Sequence, residues 1–181
     1  MKPHLATAML ALLAGTPSAF SQQPSSDVPP VSENKVDTET FTRTLASANR
    51  FEIESGKLAE KKAVAADVKD FAALMVKDHT KAGEDFKAAL DKSQTTASVT
   101  PQGPPLQPND QAMLDQLKAL DRDAFQAKYI TLQTQAHKQA VAMVSTYAQS
   151  GDDPALKEFA KKTLETLKMH EMHLKDLAAV H

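Results

Sequence analysis

The chain has no cysteine and no tryptophan, only two tyrosines and five glycines, and no strong charge of either sign. Without cysteine there is no disulfide framework, no thiolate metal site, no thiol nucleophile and no lipid-anchored N-terminal Cys. With 21 basic against 23 acidic residues and a formal charge of −2, it lacks the basic stripe that nucleic-acid binding needs. Its longest apolar run, Leu5 to Ala14, is ten residues, too short to span a bilayer. There is no Gly-rich phosphate loop and no serine in a nucleophile-elbow context. No stretch alternates with period two between turn signals, so no strand is expected.

What is present begins with an address. Lys2, the apolar run and the small residues Ala19 and Ser21 form the anatomy of a secretory signal peptide over residues 1–21, with cleavage near Ser21. Residues 22–36 are rich in Pro and Ser and read as a disordered leader. The remainder, 37–181, is expected to be one helical domain of a periplasmic or cell-envelope protein with no transmembrane segment in the mature chain.

Proline divides that domain. Nine of the ten prolines lie in the first 30 residues or between 101 and 108, and Pro154 suits the first turn of a helix. Two helix-permissive blocks remain, Asp37 to Leu90 and Asp110 to His181, joined by a crossover at about 91–121. Each block divides in two: Asp37 or Thr38 and Asp67 are natural N-caps in the first, while Gly151 is the expected C-cap and Asp153 the start signal in the second. A short helix is expected to hold Met113, Leu117 and Leu120. The blocks also resemble each other: Val68-Lys69-Asp70-Phe71-Ala72 and Leu156-Lys157-Glu158-Phe159-Ala160 match in type at an offset of 88. The fold class is therefore all-α, a ferritin-like four-helix bundle of two helical hairpins with a long crossover.

Four side chains interrupt the apolar stripes with groups that can ligate metal. Glu52 follows Leu45 by seven residues; His79 follows Met75 by four; His137 lies seven from Ile130 and from Val144; His170 lies seven before Leu177. Helical spacing places each on the buried face of its helix. Measured from the two hairpin turns, they sit at depths of roughly 20 and 25 Å, so the pairs meet when the turns lie at opposite ends of the bundle. Three imidazoles and a carboxylate suit one transition metal ion, Zn, Fe or Cu, or form a metal-free polar network. No Glu-x-x-His pair of the di-iron type is present. Asp78 is a candidate supporting partner. Met169-His170-Glu171-Met172-His173 is a second signal, since thioether and imidazole suit copper, with His173 an alternative ligand. His181 reads as a frayed terminus.

The segments Glu52-Ile53-Glu54-Ser55-Gly56-Lys57-Leu58-Ala59, Val68 to Ala72 and Met75-Val76-Lys77-Asp78-His79-Thr80-Lys81-Ala82 resemble a bacterial exported domain family of unknown function. Its members are often labelled predicted outer membrane proteins. Phe125, Tyr129, His137-Lys138-Gln139-Ala140-Val141, Leu156 to Ala160 and Thr163-Leu164 extend the resemblance from about Thr38 to Leu177. It implies export and a ferritin-like bundle, without an established activity, and makes Glu52, Asp78, His79, His137 and His170 recurring polar positions. The chain departs from the family at Gln126, where Asp is usual, and at Glu165, where Pro is common. The outer-membrane label has no physical support, since a barrel needs many alternating strands. The expectation is a non-enzymatic exported bundle whose core cluster binds a metal in stress or metal homeostasis. Alternatives are an envelope protein-interaction module with a purely structural polar core, a copper-handling protein using 169–173, and a metal-dependent oxidase.

Overall fold

Asp37 starts the first helix by accepting a hydrogen bond on Oδ1 from the Thr40 amide (2.8 Å), which satisfies one of the four free N–H groups of a helix start. Glu39 in the first turn and Lys61 and Lys62 in the last match the helix dipole. A computed structural model of the chain describes residues 35–93, 95 and 105–181. The expected signal peptide, cleavage site and most of the expected leader, with the middle of the crossover, lie outside the described residues. Within them the chain is all-helical: α1 (Thr38–Lys62), α2 (Ala66–Leu90), α3 (Pro108–Lys118), α4 (Arg122–Ser150) and α5 (Pro154–Val180), with no strand. Lys35 and Val36, the last two residues of the expected leader, touch the helices. Lys35 Nζ lies 2.5 Å from Asp152 Oδ1, and Val36 packs against the core.

The four long helices each pack against two others: α1 on α2 and α4, and α5 on α2 and α4. The two hairpin turns lie at opposite ends. The amides of Val64 and Ala65, in the α1–α2 turn, donate to Gln126 Oε1 near the start of α4 (3.1 and 2.8 Å). At the other end, Thr38 and Tyr147 share a hydrogen bond (2.7 Å) and Ser93 Oγ donates to Asp153 Oδ2 (2.5 Å). The crossover must therefore travel the length of the bundle. Residues 107–120 run beside α1 from Ser47 to Lys62: the Gln107 amide donates to Ser47 Oγ (2.7 Å), Ser47 bonds Asp110, and Lys62 Nζ donates to the Lys118 and Leu120 carbonyls (2.8 Å each).

Several helix ends differ from the sequence expectation. Asp67 lies inside α2, where its Oδ1 meets the neighbouring Val68 amide (2.9 Å) and the His181 ring (3.1 Å) rather than capping the helix; Gln126, reaching across from α4, holds the turn instead. Gln126, one of the expected departures from the resembling family, thus serves as a neutral acceptor for two backbone amides. Gly151, by contrast, is the C-cap of α4 as expected, in an extended conformation with φ −60°. Its need for glycine is steric, because a Cβ there would meet the Tyr147 carbonyl oxygen and ring at 2.6 Å. Leu120 falls beyond the end of α3.

The core divides into two apolar clusters. One, near the α1–α2 turn, includes Phe51, Phe71, Met75, Phe125, Tyr129 and Leu174. The other, toward the α4–α5 turn, includes Phe41, Leu45, Phe86, Tyr147, Phe159 and Leu167. Burying each such side chain contributes about 1.5–3 kcal/mol. On every long helix, one of the four candidate polar residues falls at the seam between the clusters.

Candidate metal centre

His79 on α2, His137 on α4 and His170 on α5 meet at that seam. All three are buried, and one ring nitrogen of each lies within 4.8 Å of those of the other two. Among the described residues this is the one group of three ligating side chains so placed.

What surrounds the rings fixes their protons. His137 Nδ1 lies 3.1 Å from the Gln133 carbonyl oxygen, one helical turn earlier. That oxygen only accepts, so Nδ1 carries the hydrogen and Nε2 keeps its lone pair. His170 Nε2 lies 3.0 Å from Asp78 Oδ2, so Nε2 donates and Nδ1 is left bare. His79 Nδ1 donates to Asn49 Oδ1 (3.0 Å), while its buried Nε2 has no hydrogen-bond partner. Each imidazole is thus anchored by an N–H pointing away from the cluster and presents a lone pair toward it. His137 Nε2 and His170 Nδ1 face each other at 3.3 Å.

Burial lowers the pKa of all three. His79 falls well below its ordinary value through desolvation and then the neighbouring His137 and His170. His137 falls to about 4 for the same first reason, opposed by its bond to Gln133. His170 is lowered by desolvation, with Asp78 pulling the other way. At neutral pH the rings are neutral, the state in which imidazole binds metal.

Glu52 does not join the converging nitrogens. Its Oε1 lies 3.7 Å from His137 Nδ1, behind that ring, and its buried Oε2 has no partner. Burial pushes its carboxyl up to about 8, with the Gln133 side chain opposing. Gln133 in turn donates from Nε2 to Ser55 Oγ (3.1 Å). Asp78, adjacent in sequence to His79, serves His170 on the facing helix. His173 packs against the Phe71 ring edge-on, with centroids 4.9 Å apart, and is not among the three converging side chains. Met169 and Met172 are 55% and 63% exposed. His181 is engaged: its Nε2 lies 3.0 Å from Asp67 Oδ2, and Gln126 Nε2 lies 3.3 Å from its Nδ1. Asn49 and Gln133 were not legible as functional residues. Their one signal is position, each on the face of its helix next to a candidate ligand.

The triad opens on one side to a cleft of about 700 Å³ between α2 and α5, also bordered by Glu52, Asp78 and Met169. No helix among the described residues is long and apolar enough to cross a membrane.

Solved structures of similar fold include a DUF305 protein from Streptomyces coelicolor described as secreted, 17% identical, with TM-score 0.62 over 77% of this chain and 88% of that one. CopM in its Cu(II)-bound form is 16% identical, with TM-score 0.64 over 80% of this chain and 97% of the other. A DUF305 fragment from Deinococcus radiodurans is 14% identical, with TM-score 0.64 over 78% and 94%. Among proteins with curated descriptions none matches the sequence. Residues 21–177, nearly all of the bundle and its N-terminal approach, match a single family pattern, and the chain belongs to that family, the Domain of unknown function (DUF4142).

Proposed function

We propose that this protein is an exported, ferritin-like helical bundle that holds one transition metal ion, copper by preference, on His79, His137 and His170 in metal homeostasis or stress defence. The observation that carries the reading is the convergence of three neutral imidazole lone pairs, each ring held from behind by an acceptor. Two nitrogens bound at about 2.0–2.1 Å to one ion stand about 3.3 Å apart in tetrahedral geometry and about 2.9 Å apart at the right angle that Cu²⁺ favours. The 3.3 Å between His137 Nε2 and His170 Nδ1 suits either geometry, the second after a small inward shift of the rings. Facing lone pairs at that distance repel each other unless a cation lies between them, and the bare Nε2 of His79 supplies a third donor. Imidazole suits Zn, Cu and Fe, and among divalent ions the affinity order peaks at Cu²⁺. CopM, a similar bundle, was solved with Cu(II), which supports copper as the first ion to test. Opposed hairpin turns support the ferritin-like threading, and the secreted neighbour agrees with export.

Titration of the metal-free protein with Cu²⁺, followed by calorimetry and electron paramagnetic resonance, tests the reading. One equivalent should bind with nitrogen hyperfine structure, and His79→Ala, His137→Ala and His170→Ala should each weaken binding sharply. Copper uptake that survives all three substitutions together would move the site to Met169, Met172 and His173. No uptake at all would leave a structural polar core.

A further inference from the structure

The cleft above the triad is elongated. Its walls run from Asp78 and His79 to Lys92 along α2, and from His170 back to Ala155 along α5. At 1.5 Å per helical residue that is about 20 Å. The two ends differ chemically. At one end lie the three imidazoles. Beyond them the floor is apolar, with Phe86 and Phe159 across it at 5.3 Å between centroids and Leu45 and Leu167 alongside. Its volume, about 700 Å³, is that of a small-molecule site, since such pockets span roughly 300–1,000 Å³.

A metal on three neutral imidazoles keeps its full positive charge, because the ligands bring none. Asp78, bonded to His170, is the one carboxylate in hydrogen-bond contact with the triad. Three protein ligands leave a further coordination position, and the exit from the triad is the groove. A divalent ion whose ligands hold one hydrogen-bonded carboxylate, Asp78, with Glu52 behind the His137 ring, at the end of a long trough with an apolar floor and a rim of mixed charge, favours a ligand carrying one negative charge and a linear apolar tail.

We infer that the groove between α2 and α5 binds an amphipathic monoanion, its charged head on the metal held by His79, His137 and His170 and its tail along Phe86 and Phe159. This rests on the metal-binding reading above, and the test separates the two. The protein is loaded with one equivalent of Cu²⁺, and uptake is measured first; failure there concerns the metal site alone. Loaded protein is then titrated with azide, acetate and octanoate while the copper spectrum is followed by visible absorption and electron paramagnetic resonance. All three should perturb the spectrum, and octanoate should half-saturate at a concentration at least tenfold below that of acetate. Thr163→Glu, at a half-buried groove position outside the triad, should bind copper and azide as the wild type does and lose the octanoate advantage. A copper spectrum unmoved by all three anions would overturn the inference. So would octanoate binding no tighter than acetate, or an octanoate advantage that persists in Thr163→Glu, since the tail would then lie elsewhere.

Discussion

His137 and His170 face each other at 3.3 Å through nitrogens that have no proton to share. Each ring has committed its N–H elsewhere, His137 to a carbonyl of its own helix and His170 to Asp78 on another. The pair is therefore incomplete as a hydrogen bond and suited to a cation. Excess Cu²⁺ should raise the melting temperature of the wild type, since a ligand at a hundred times its dissociation constant adds about 2.7 kcal/mol to the folded state. His170→Ala should lose that gain. Differential scanning calorimetry with and without copper checks it, and an equal gain in wild type and variant would remove the triad from metal binding.

The metal-free protein should be most stable near pH 6.5. Glu52 has its folded pKa raised from 4.5 to about 8, so the folded state holds its proton more firmly and stability falls as pH rises across that interval. His137 is lowered from 6.5 to about 4, and His79 and His170 shift the same way. Their contribution is complete above 6.5 and is lost as pH falls toward 4. Three histidines outweigh one carboxyl on the acid side, and the carboxyl acts alone above 6.5. Melting temperature in the presence of a chelator should therefore decline between pH 6.5 and 8, and Glu52→Gln should flatten that decline. A wild-type curve already flat over that range would show that Glu52 is not buried as described.

Gly56 lies on the face of α1 that packs against α2. A Cβ there would stand 2.8 Å from Val76 Cγ2 and 3.2 Å from the Ala72 carbonyl oxygen. Alanine gains about 1 kcal/mol of helix propensity, but overpacking against a stiff branched side chain and a backbone atom costs about 1–3 kcal/mol. Gly56→Ala should lower stability by about 1 kcal/mol net in urea denaturation. A stabilised variant would mean that the helices part without cost.

These tests rest on features that the sequence revealed unequally. Periodicity placed Glu52, His79, His137 and His170 on buried faces, and counting residues from the turns brought them to one height, because helical rise and face depend only on position. It could not say which ring nitrogen carries a proton, since that depends on acceptors from other helices: Asn49 for His79 and Asp78 for His170. Nor could it separate Glu52 from the ligands. Matching height leaves open whether a carboxylate meets the front or the back of a ring, and here it meets the back of His137. Gln126 was visible only as a departure from the family. Its role in holding two amides of the α1–α2 turn depends on the crossover bringing α4 to that end, a tertiary relationship with no local signature.

Asp78 gives the sharpest test of how the site is tuned. It is about a quarter exposed, and its carboxylate accepts the Nε2–H of His170 at 3.0 Å, which leaves Nδ1 of that ring bare and makes it more basic. Partners of this kind, once removed, cost about 10–100-fold in metal affinity. Asp78→Asn keeps an oxygen that can accept the same hydrogen but loses the charge, so copper affinity should fall about tenfold, at the lower end of that range. Asp78→Ala removes the acceptor and frees His170 to exchange tautomers and turn, so the loss should be larger and nearer a hundredfold. Competition against a chelator of known affinity measures both, with circular dichroism to show that the helices are intact. Because Asp78 touches no lone pair of the triad, a purely structural role would leave copper affinity unchanged in a folded Asp78→Ala protein, and that result would sink the assignment.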